Sequence, residues 1–306
     1  MKSDLSISVV IPLYKCENCI RDWIKTIISI LKNYSFEIIL VDDNSPDDTW
    51  KKVVELKHHY PEIIKAIRLS RNYGQQKATF CGLSKAKGDI VITIDDDGVH
   101  PVEHLPEVIE KFLSEKMEIL YIIPEKYHYP LYRKLLSSVY KKISQIENPE
   151  AGKGSSFRIL SKNLVKSIIQ HSSHLIVIDE LILWYTQNIH SIVIPFHLSK
   201  KKKSSYSFSR LFHLSKSTLM ISTTMPLIIV KTLGLTVSGI SFLAGVYFLI
   251  KKFVFHHAEK GYTSIIVSIL FGVGLILFSL GVIGEYIAYI LMDIHKKPPY
   301  HIKEEL

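Results

Sequence analysis

The sequence predicts an α/β domain with a mostly parallel sheet flanked by helices, followed by an interfacial helix and a two-helix transmembrane hairpin. The first observation is the alternation of short, nearly continuous apolar segments with amphipathic segments up to Ser114. Parallel strands that are covered by helices on both faces have this pattern. The second observation is a pair of uncharged segments, 232–250 and 263–284, each long enough to cross a hydrocarbon core of about 30 Å.

Four strands and four helices can be placed in chain order. The apolar segments predict strands at Ile7–Ile11, Phe36–Val41, Ile63–Leu69 and Asp89–Ile94. The amphipathic segments predict helices at Glu17–Leu31, Thr49–His58, Gln75–Lys85 and Val102–Ser114. Because ligands of such sheets bind beyond the carboxyl ends of the strands, polar residues that follow the strands are candidate site residues.

Polar and aromatic residues follow each predicted strand. They are Pro12 and Tyr14 after the first, Asp42 and Asp43 after the second, 71–74 after the third and 95–97 after the fourth. The triplet of Asp95, Asp96 and Asp97 suits a divalent cation, which takes carboxylate, phosphate and water oxygens. An acidic turn before the helix that Pro101 begins is the alternative. Neither GxGxxG nor GxxxxGK[ST] follows the first strand, which disfavours nicotinamide dehydrogenases and P-loop nucleotidases.

The charge distribution orients the membrane segments. Lysine and arginine are frequent before the first span and after the second, which favours both ends of the hairpin in the cytoplasm. The net charge of +9 fits an anionic lipid surface better than nucleic acid, since the basic residues cluster near the membrane segments. We therefore expect a multi-pass protein of the cell inner (cytoplasmic) membrane with its N-terminal domain in the cytoplasm.

Four regions follow from these features. They are a cytoplasmic domain at 1–203, an amphipathic interfacial linker at 204–225, a hairpin at 226–295 and a cytoplasmic tail at 296–306. The two spans are expected at about 228–250 and 263–291.

An ordered set of motifs resembles a known family. The segments VVIPLYKCENCI, ILVDDNSPDDT, RNYGQQKATFCGL and DIVITIDDDGVHPVEHLP resemble the inverting GT-A-fold glycosyltransferases of family 2. The segments PLYRKLLSSVYKKIS, GSSFRILSKNLV, SSYSFSRL and SLGVIGEYIAYI are similar to the polyprenyl-phosphate glycosyltransferases, which include dolichyl-phosphate mannose synthases and bacterial undecaprenyl-phosphate glucosyltransferases. The resemblance implies an inverting, metal-dependent hexosyltransferase. Its substrates would be a nucleotide-diphospho-sugar and a polyprenyl (undecaprenyl) phosphate, and its product would serve a cell-envelope glycan.

The resemblance assigns roles on the donor side. Pro12, Tyr14 and Asp42 or Asp43 match positions that hold the base and ribose of the donor. Asp95 and Asp97 match the carboxylates that carry Mg²⁺ or Mn²⁺ on the diphosphate, and Asp96 lies between them in the donor site.

It also assigns roles on the acceptor side. Arg158 matches a basic position near the acceptor phosphate. The other implied acceptor residues are Arg133, Lys134, Ser137, Ser204, Tyr206 and Arg210.

This sequence differs from the family at the position of the proposed general base. Many relatives have a Gly-Asp pair with a proposed catalytic aspartate where this chain has Ser155 and Ser156. A lipid monophosphate has its second pKa near 6, so it is already a nucleophilic anion at cytoplasmic pH. Asp179 and Glu180 resemble an acidic pair that carries the base in other members, although carboxylates also favour a helix N-terminus.

Two other functions are left open by the sequence. One is transfer to a saccharide hydroxyl, which needs a true base. The other is a non-catalytic membrane protein that binds a nucleotide sugar. The choice between UDP and GDP donors and the formation of a homo-oligomer are left open as well.

Overall fold

The computed structural model describes residues 5–125, 154–171, 176–195, 262–294 and 298–306, with scattered positions between 230 and 247. It divides into two compact units, one of residues 1–211 with 296–306 and one of residues 212–295. The first unit contains an eight-stranded sheet with the order β7-β5-β6-β4-β1-β2-β3-β8.

The sheet contains both parallel and antiparallel strand pairs. Their bounds are β1 (Ser6–Leu13), β2 (Ser35–Asp42), β3 (Ile64–Leu69), β4 (Ile90–Thr93), β5 (Ile119–Pro124), β6 (Arg158–Ser161), β7 (Ile189–Ile194) and β8 (Ile302–Glu305). The central strands β4, β1, β2 and β3 pair in parallel. The strand β6 is antiparallel to both of its neighbours, β4 and β5, and β7 returns parallel to β5.

Helices cover the two faces of the sheet. Their bounds are α1 (Ile20–Leu31), α2 (Thr49–His59), α3 (Gln75–Lys85), α4 (Leu105–Ser114), α5 (Lys162–Ile169) and α6 (Ile178–Tyr185). The apolar sides of α1, α2 and α4 pack on one face, and those of α3, α5 and α6 pack on the other. Side chains alternate along each strand, so Val9 belongs to the first core and Val10 to the second.

The predicted α/β class and its parallel centre are confirmed, with differences at the element ends. The helix α1 begins at Ile20, because the backbone N–H groups of Cys19 and Ile20 both donate to Cys16 O in a turn. A 3₁₀ turn at Val102–His104 precedes α4. Pro106 stands in the first turn of α4, where its missing N–H costs no helical hydrogen bond.

The last strand pairs with an edge of the sheet. The strand β8 is antiparallel to β3, and Leu306 and Ala66 exchange two backbone hydrogen bonds. The side chain of Lys85 in α3 makes an ion pair of 2.6 Å with Glu305. The tail that follows the second predicted span is therefore part of the first unit's sheet.

The second unit contains α7 (Tyr262–Ile294), a helix of 33 residues that includes the whole of the second predicted span, 263–291. Its backbone is described throughout, but only some of its side chains are. Over the residues that are described, no helix meets the length and hydropathy needed to cross a membrane. Most of the first predicted span and the linker at 204–225 lie outside the described residues.

Candidate functional site

The ends of β1, β2 and β4 meet at one edge of the sheet, as the sequence predicts. The backbone N–H of Asp43 donates to Leu13 O at 3.0 Å, which ties the end of β2 to the end of β1. The backbone N–H of Tyr14 donates to Asp96 Oδ2 at 3.0 Å, which ties the β1 loop to the aspartate triplet. Tyr14 is 40% exposed, so its ring remains accessible to a ligand.

Asp42 and Asp43 are buried and bind groups of the chain itself. Asp42 is fully buried; its Oδ1 accepts from the Ser45 N–H, and its Oδ2 lies 3.3 Å from Arg68 Nε. Burial raises the pKa of Asp42, and the Ser45 hydrogen bonds and the Arg68 charge oppose this rise. The predicted contact of these carboxylates with a nucleotide stays a prediction.

Asp43 holds the start of α3. Its two carboxylate oxygens accept from the backbone N–H groups of Tyr73 at 2.7 Å and Gly74 at 2.8 Å. Gly74 has φ +93°, a conformation that favours glycine. Burial raises the pKa of Asp43 to about 6, although the two backbone hydrogen bonds lower it. Asp43 therefore fixes the loop from which the first residues of α3 project.

Two donors hold the carboxylate of Asp95, one on each oxygen. Gln75 Nε2 donates to Oδ1 at 2.6 Å, and Ser156 Oγ donates to Oδ2 at 2.7 Å. The indole N–H of Trp23 donates to the backbone oxygen of Asp95 at 3.2 Å. Groups from α1, α3 and the segment before β6 thus fix the first residue of the triplet.

His100 contacts both the backbone and the carboxylate of Asp95. Its Nδ1 accepts from the Asp95 N–H at 3.2 Å, which assigns the ring proton to Nε2, 3.8 Å from Asp95 Oδ2. The ring stacks on Phe157 at a centroid distance of 4.9 Å. Burial raises the pKa of Asp95 and lowers that of His100, and the attraction between the two groups opposes both shifts.

The residues present fit a divalent cation held jointly with a substrate. Among the described residues, no three His, Cys, Asp or Glu side chains converge on one point. Mg²⁺ and Mn²⁺ do not need such a set when substrate phosphates and water complete their shell. Each carboxylate oxygen can accept more than one bond, so Asp95 retains capacity beside its two donors. Asp97 accepts from Val99 N–H through Oδ1 and is only partly buried.

Arg158, Asp179 and Tyr121 form a hydrogen-bonded group across the edge of the cleft. Arg158 is 2% exposed; its Nε donates to Thr93 Oγ1 at 3.2 Å, and its Nη1 donates to Asp179 Oδ1. The Tyr121 hydroxyl donates to the same Asp179 oxygen at 2.9 Å. Burial raises the pKa of Tyr121 well above its usual value, and the Asp179 charge adds to the effect. Two donors therefore occupy Oδ1 of the candidate base.

Gly154 approaches the same carboxylate closely. A Cβ atom at this position would lie 2.6 Å from Asp179 Oδ1 and 2.7 Å from its Cγ. Such a distance is shorter than any ordinary contact, so the Asp179 side chain requires glycine there. Asp179 and Glu180 lie in the first turn of α6, as the helix N-terminus interpretation expects.

A small open cleft joins these groups. Its lining is mostly polar and includes Pro12, Gln75, Gln76, Thr93, Asp95, Ser156, Arg158 and Asp179. The predicted residues Pro12, Asp95, Arg158 and Asp179 thus share one cavity. Several predicted residues lie outside the described part of the chain: Arg133, Lys134, Ser137, Ser204, Tyr206 and Arg210.

The sequence assigned no role to Gln75, Gln76, Tyr121 or His100. Gln75 and Gln76 had a usable signal, because they open a helix directly after a strand and its loop. Tyr121 and His100 had none, since an aromatic residue within an apolar strand and a histidine after an acidic turn occur in most proteins for packing.

The comparisons with known proteins agree with this geometry. The model of glycosyl transferase family 2 matches residues 8–169. The bactoprenol glucosyl transferase of Shigella phage SfV is 31% identical, over 98% of this chain and 99% of that protein. The undecaprenyl-phosphate 4-deoxy-4-formamido-L-arabinose transferase of Klebsiella pneumoniae is 25% identical, over 97% of this chain and 92% of that protein.

Among solved structures, glucosyl-3-phosphoglycerate synthase from Mycobacterium tuberculosis, in complex with Mn²⁺ and UDP-glucose, has a similar fold. The TM-score is 0.51 at 17% identity, and the match covers 71% of this chain and 77% of that one. This likeness identifies the mixed sheet as the GT-A type. The family match spans more than half of the chain, and its relatives are matched over nearly their whole length. The chain therefore belongs to glycosyl transferase family 2 and is a glycosyltransferase.

Proposed function

We propose that this enzyme transfers a sugar from a nucleotide-diphospho-sugar to a polyprenyl phosphate, with inversion at the anomeric carbon. The observation that carries the proposal is the match to bactoprenol glucosyl transferases over 98% of the chain, which includes the segments beyond the catalytic domain. UDP-glucose is the first donor to test, since those relatives are named for glucose and the M. tuberculosis neighbour is complexed with UDP-glucose.

The donor would lie along the edge formed by β1, β2 and β4. Pro12 and Tyr14 would contact the base, with Asp42 and Asp43 holding the two loops around it. Asp95 and Asp97 would hold the divalent cation, which would supply positive charge to offset that of the departing diphosphate. The hydrogen bonds from Gln75 and Ser156 support this role, because they fix the Asp95 carboxylate before the donor binds.

The acceptor would attack as a phosphate anion. Its oxygen forms a bond to the anomeric carbon as the bond from that carbon to the diphosphate oxygen breaks, which releases a nucleoside diphosphate. Ser156, which stands at the position of the base proposed in many relatives, donates its hydroxyl hydrogen to Asp95. The acceptor needs no base, because its second pKa near 6 leaves it ionised. Arg133, Lys134, Ser137, Ser204, Tyr206 and Arg210 are the proposed acceptor-phosphate residues.

A membrane location follows from the acceptor. We propose that the chain is a multi-pass protein of the cytoplasmic membrane, with spans near 228–250 and 263–291 and its catalytic domain in the cytoplasm. The absence of charged residues from 263 to 284 supports the second span. At about 1.5 Å per residue, a helix over this uncharged segment would be long enough to cross a hydrocarbon core of about 30 Å.

A radiolabel transfer assay tests the proposal. Membranes that contain the enzyme are incubated with undecaprenyl phosphate, Mn²⁺ or Mg²⁺ and labelled donors, each UDP- or GDP-linked. The proposal predicts label in the lipid extract with at least one donor, at a level that depends on the added lipid. Label that stays in the aqueous phase with every donor would contradict it.

A further inference from the structure

The tail at the end of the chain contacts the elements on both sides of one loop of the candidate site. Residues 70–74, which we call the β3–α3 loop, join β3 to α3. At the start of this loop the Ser70 N–H donates to the backbone oxygen of His301 at 2.9 Å. In α3, which follows the loop, the Ser84 hydroxyl forms a hydrogen bond of 3.0 Å with the hydroxyl of Tyr300. Two successive residues of the tail thus bind the start of the loop and the helix that follows it.

An extra residue in β8 orients the side chain of Tyr300 towards α3. Two consecutive residues of β3 lie opposite Glu304 and Ile302, so Lys303 is an additional residue in the pairing. A bulge of this kind changes the face of the sheet on which the neighbouring side chains lie. Ile302 and Tyr300 both pack against the core on the α3 side of the sheet. There the ring of Tyr300 meets the ring of Phe80 edge-on, at a centroid distance of 6.4 Å.

The β3–α3 loop is bound to two carboxylates of the candidate site. The backbone N–H groups of Tyr73 and Gly74 donate to the carboxylate of Asp43. Gln75, the first residue of α3, donates to Asp95 Oδ1 at 2.6 Å. A displacement of the loop would therefore alter the hydrogen bonds of both carboxylates.

We propose that the tail strand holds the β3–α3 loop in the conformation that binds the donor, with Tyr300 as the positioning residue. The proposal rests on the donor position proposed above, where Asp43 holds one of the loops around the base. A loop that is fixed at both ends loses less conformational entropy when a ligand orders it. Tyr300 would act through α3 and the loop, without contact with the substrate. The family model matches residues 8–169, so this contribution would come from a segment outside the matched domain.

Two measurements on the full-length enzyme in detergent test the proposal. Hydrogen–deuterium exchange gives the exchange rates of the backbone amides in the β3–α3 loop and, for comparison, in β1. Calorimetric titration with UDP or GDP in the presence of Mn²⁺ gives the dissociation constant of the nucleotide. Tyr300→Ala removes the contacts with α3, and Tyr300→Phe removes only the hydroxyl bond to Ser84. Glu305→Ala is the matched control, because it breaks the ion pair with Lys85 at the other end of the same strand.

Tyr300→Ala should raise the exchange rates in the loop by about fivefold or more, while those in β1 change by less than about twofold. The dissociation constant of the nucleotide should rise by about threefold or more, because binding must then order a looser loop. Tyr300→Phe should change both quantities in the same direction by about twofold. Glu305→Ala should leave both quantities at their wild-type values.

Unchanged exchange in the loop of Tyr300→Ala, or a rise of the same size in β1, would overturn positioning by the tail and leave the transferase proposal standing. Faster exchange in the loop with an unchanged dissociation constant would overturn the role of the loop in donor binding. If Tyr300→Ala does not fold, Tyr300→Phe decides by the same criteria. Failure of the wild type to bind either UDP or GDP would overturn the proposed function and, with it, this role of the loop.

Discussion

The hydroxyl of Ser156 donates a hydrogen bond of 2.7 Å to Asp95 Oδ2. Ser156 stands where many relatives have the aspartate proposed as base, and Asp95 is a proposed ligand of the cation. A second carboxylate at position 156 would face Asp95 directly and repel it. In this chain the serine instead stabilises the ionised form of Asp95, which is the form that binds a metal ion.

Replacing Ser156 by alanine should therefore weaken the binding of the metal ion and lower the metal-dependent activity. The loss of one hydrogen bond to a charged group predicts a fall in kcat/KM of about tenfold, with a higher Mn²⁺ concentration at half-maximal activity. A metal titration of the transfer activity measures both. Ser29→Ala, on the exposed side of α1, is the control and should leave the titration unchanged. A Ser156→Ala enzyme with wild-type metal dependence would refute the role of this hydrogen bond.

Asp97→Asn should abolish metal-dependent transfer. An amide cannot supply the charge that binds a hard cation, so we expect a loss of at least about 100-fold, larger than that for an outer-shell partner. Asp22→Asn, on the exposed surface of α1, controls for the loss of a charge. Substantial activity of Asp97→Asn at saturating Mn²⁺ would remove the metal assignment from Asp97.

Gly154→Ala should move the carboxylate of Asp179 although Asp179 itself is not substituted. The added methyl would lie 2.6 Å from Asp179 Oδ1, so the carboxylate must leave Arg158 and Tyr121. We expect kcat/KM to fall by about the same factor in Gly154→Ala and Asp179→Asn, and the double variant to be no worse than either. Steady-state kinetics of the three enzymes tests this. Fully multiplicative losses would mean that the alanine acts through another route.

The burial of Asp43 should make stability depend on pH. Its folded pKa of about 6 exceeds the usual 3.8, so the folded state binds more protons and Asp43 contributes stability at low pH. This contribution is complete below about pH 4 and is lost as the pH rises through about 6. Between pH 5 and 7.5 the wild type should lose about 1.4 kcal/mol from this group, or roughly 3–5 °C in Tm.

Asp43→Asn lacks this titration. Its Tm minus that of the wild type should therefore increase by that amount from pH 5 to 7.5, because other groups cancel in the difference. Thermal unfolding of both proteins at several pH values gives the comparison. A difference that stays constant, or that falls with pH, would contradict the raised pKa.

Removal of residues 301–306 should destabilise the catalytic domain. The truncation deletes β8, breaks the backbone bonds to Ala66 and the Lys85 ion pair, and exposes the edge of β3. We expect a lower Tm and more aggregation of the truncated enzyme in a size-exclusion assay. Glu304→Ala, an exposed substitution within the same strand, should behave as the wild type. A truncated protein with an unchanged Tm would show that β8 contributes little.

The core of the fold could be predicted because apolar residues recur with different spacings in its strands and in its helices. The runs around Val9 and Ile39 are continuous apolar segments, and Trp23, Ile24 and Ile27 recur at helical spacing. The edge strands carried no such signal. The sequence of β8, IKEE, is mostly charged and forms a strand only because β3 offers an unpaired edge.

The candidate site was predictable where strand ends carried polar residues, as at Pro12 and Asp95. The internal partners of those residues were not. The pairing of Asp43 with the start of α3, and of Asp179 with Arg158 and Tyr121, joins segments far apart in the chain. Neither composition nor periodicity encodes such contacts, which arise when the topology brings strand ends to one edge.

The most direct test is the identity of the product made by the purified full-length enzyme. The enzyme is reconstituted with undecaprenyl phosphate, UDP-glucose and Mn²⁺, and the lipid product is analysed by mass spectrometry and NMR. We predict a polyprenyl monophosphate sugar whose anomeric configuration is inverted relative to the donor, with one equivalent of UDP released. No lipid-linked sugar from any donor, or a product that retains the donor's configuration, would contradict the proposed reaction.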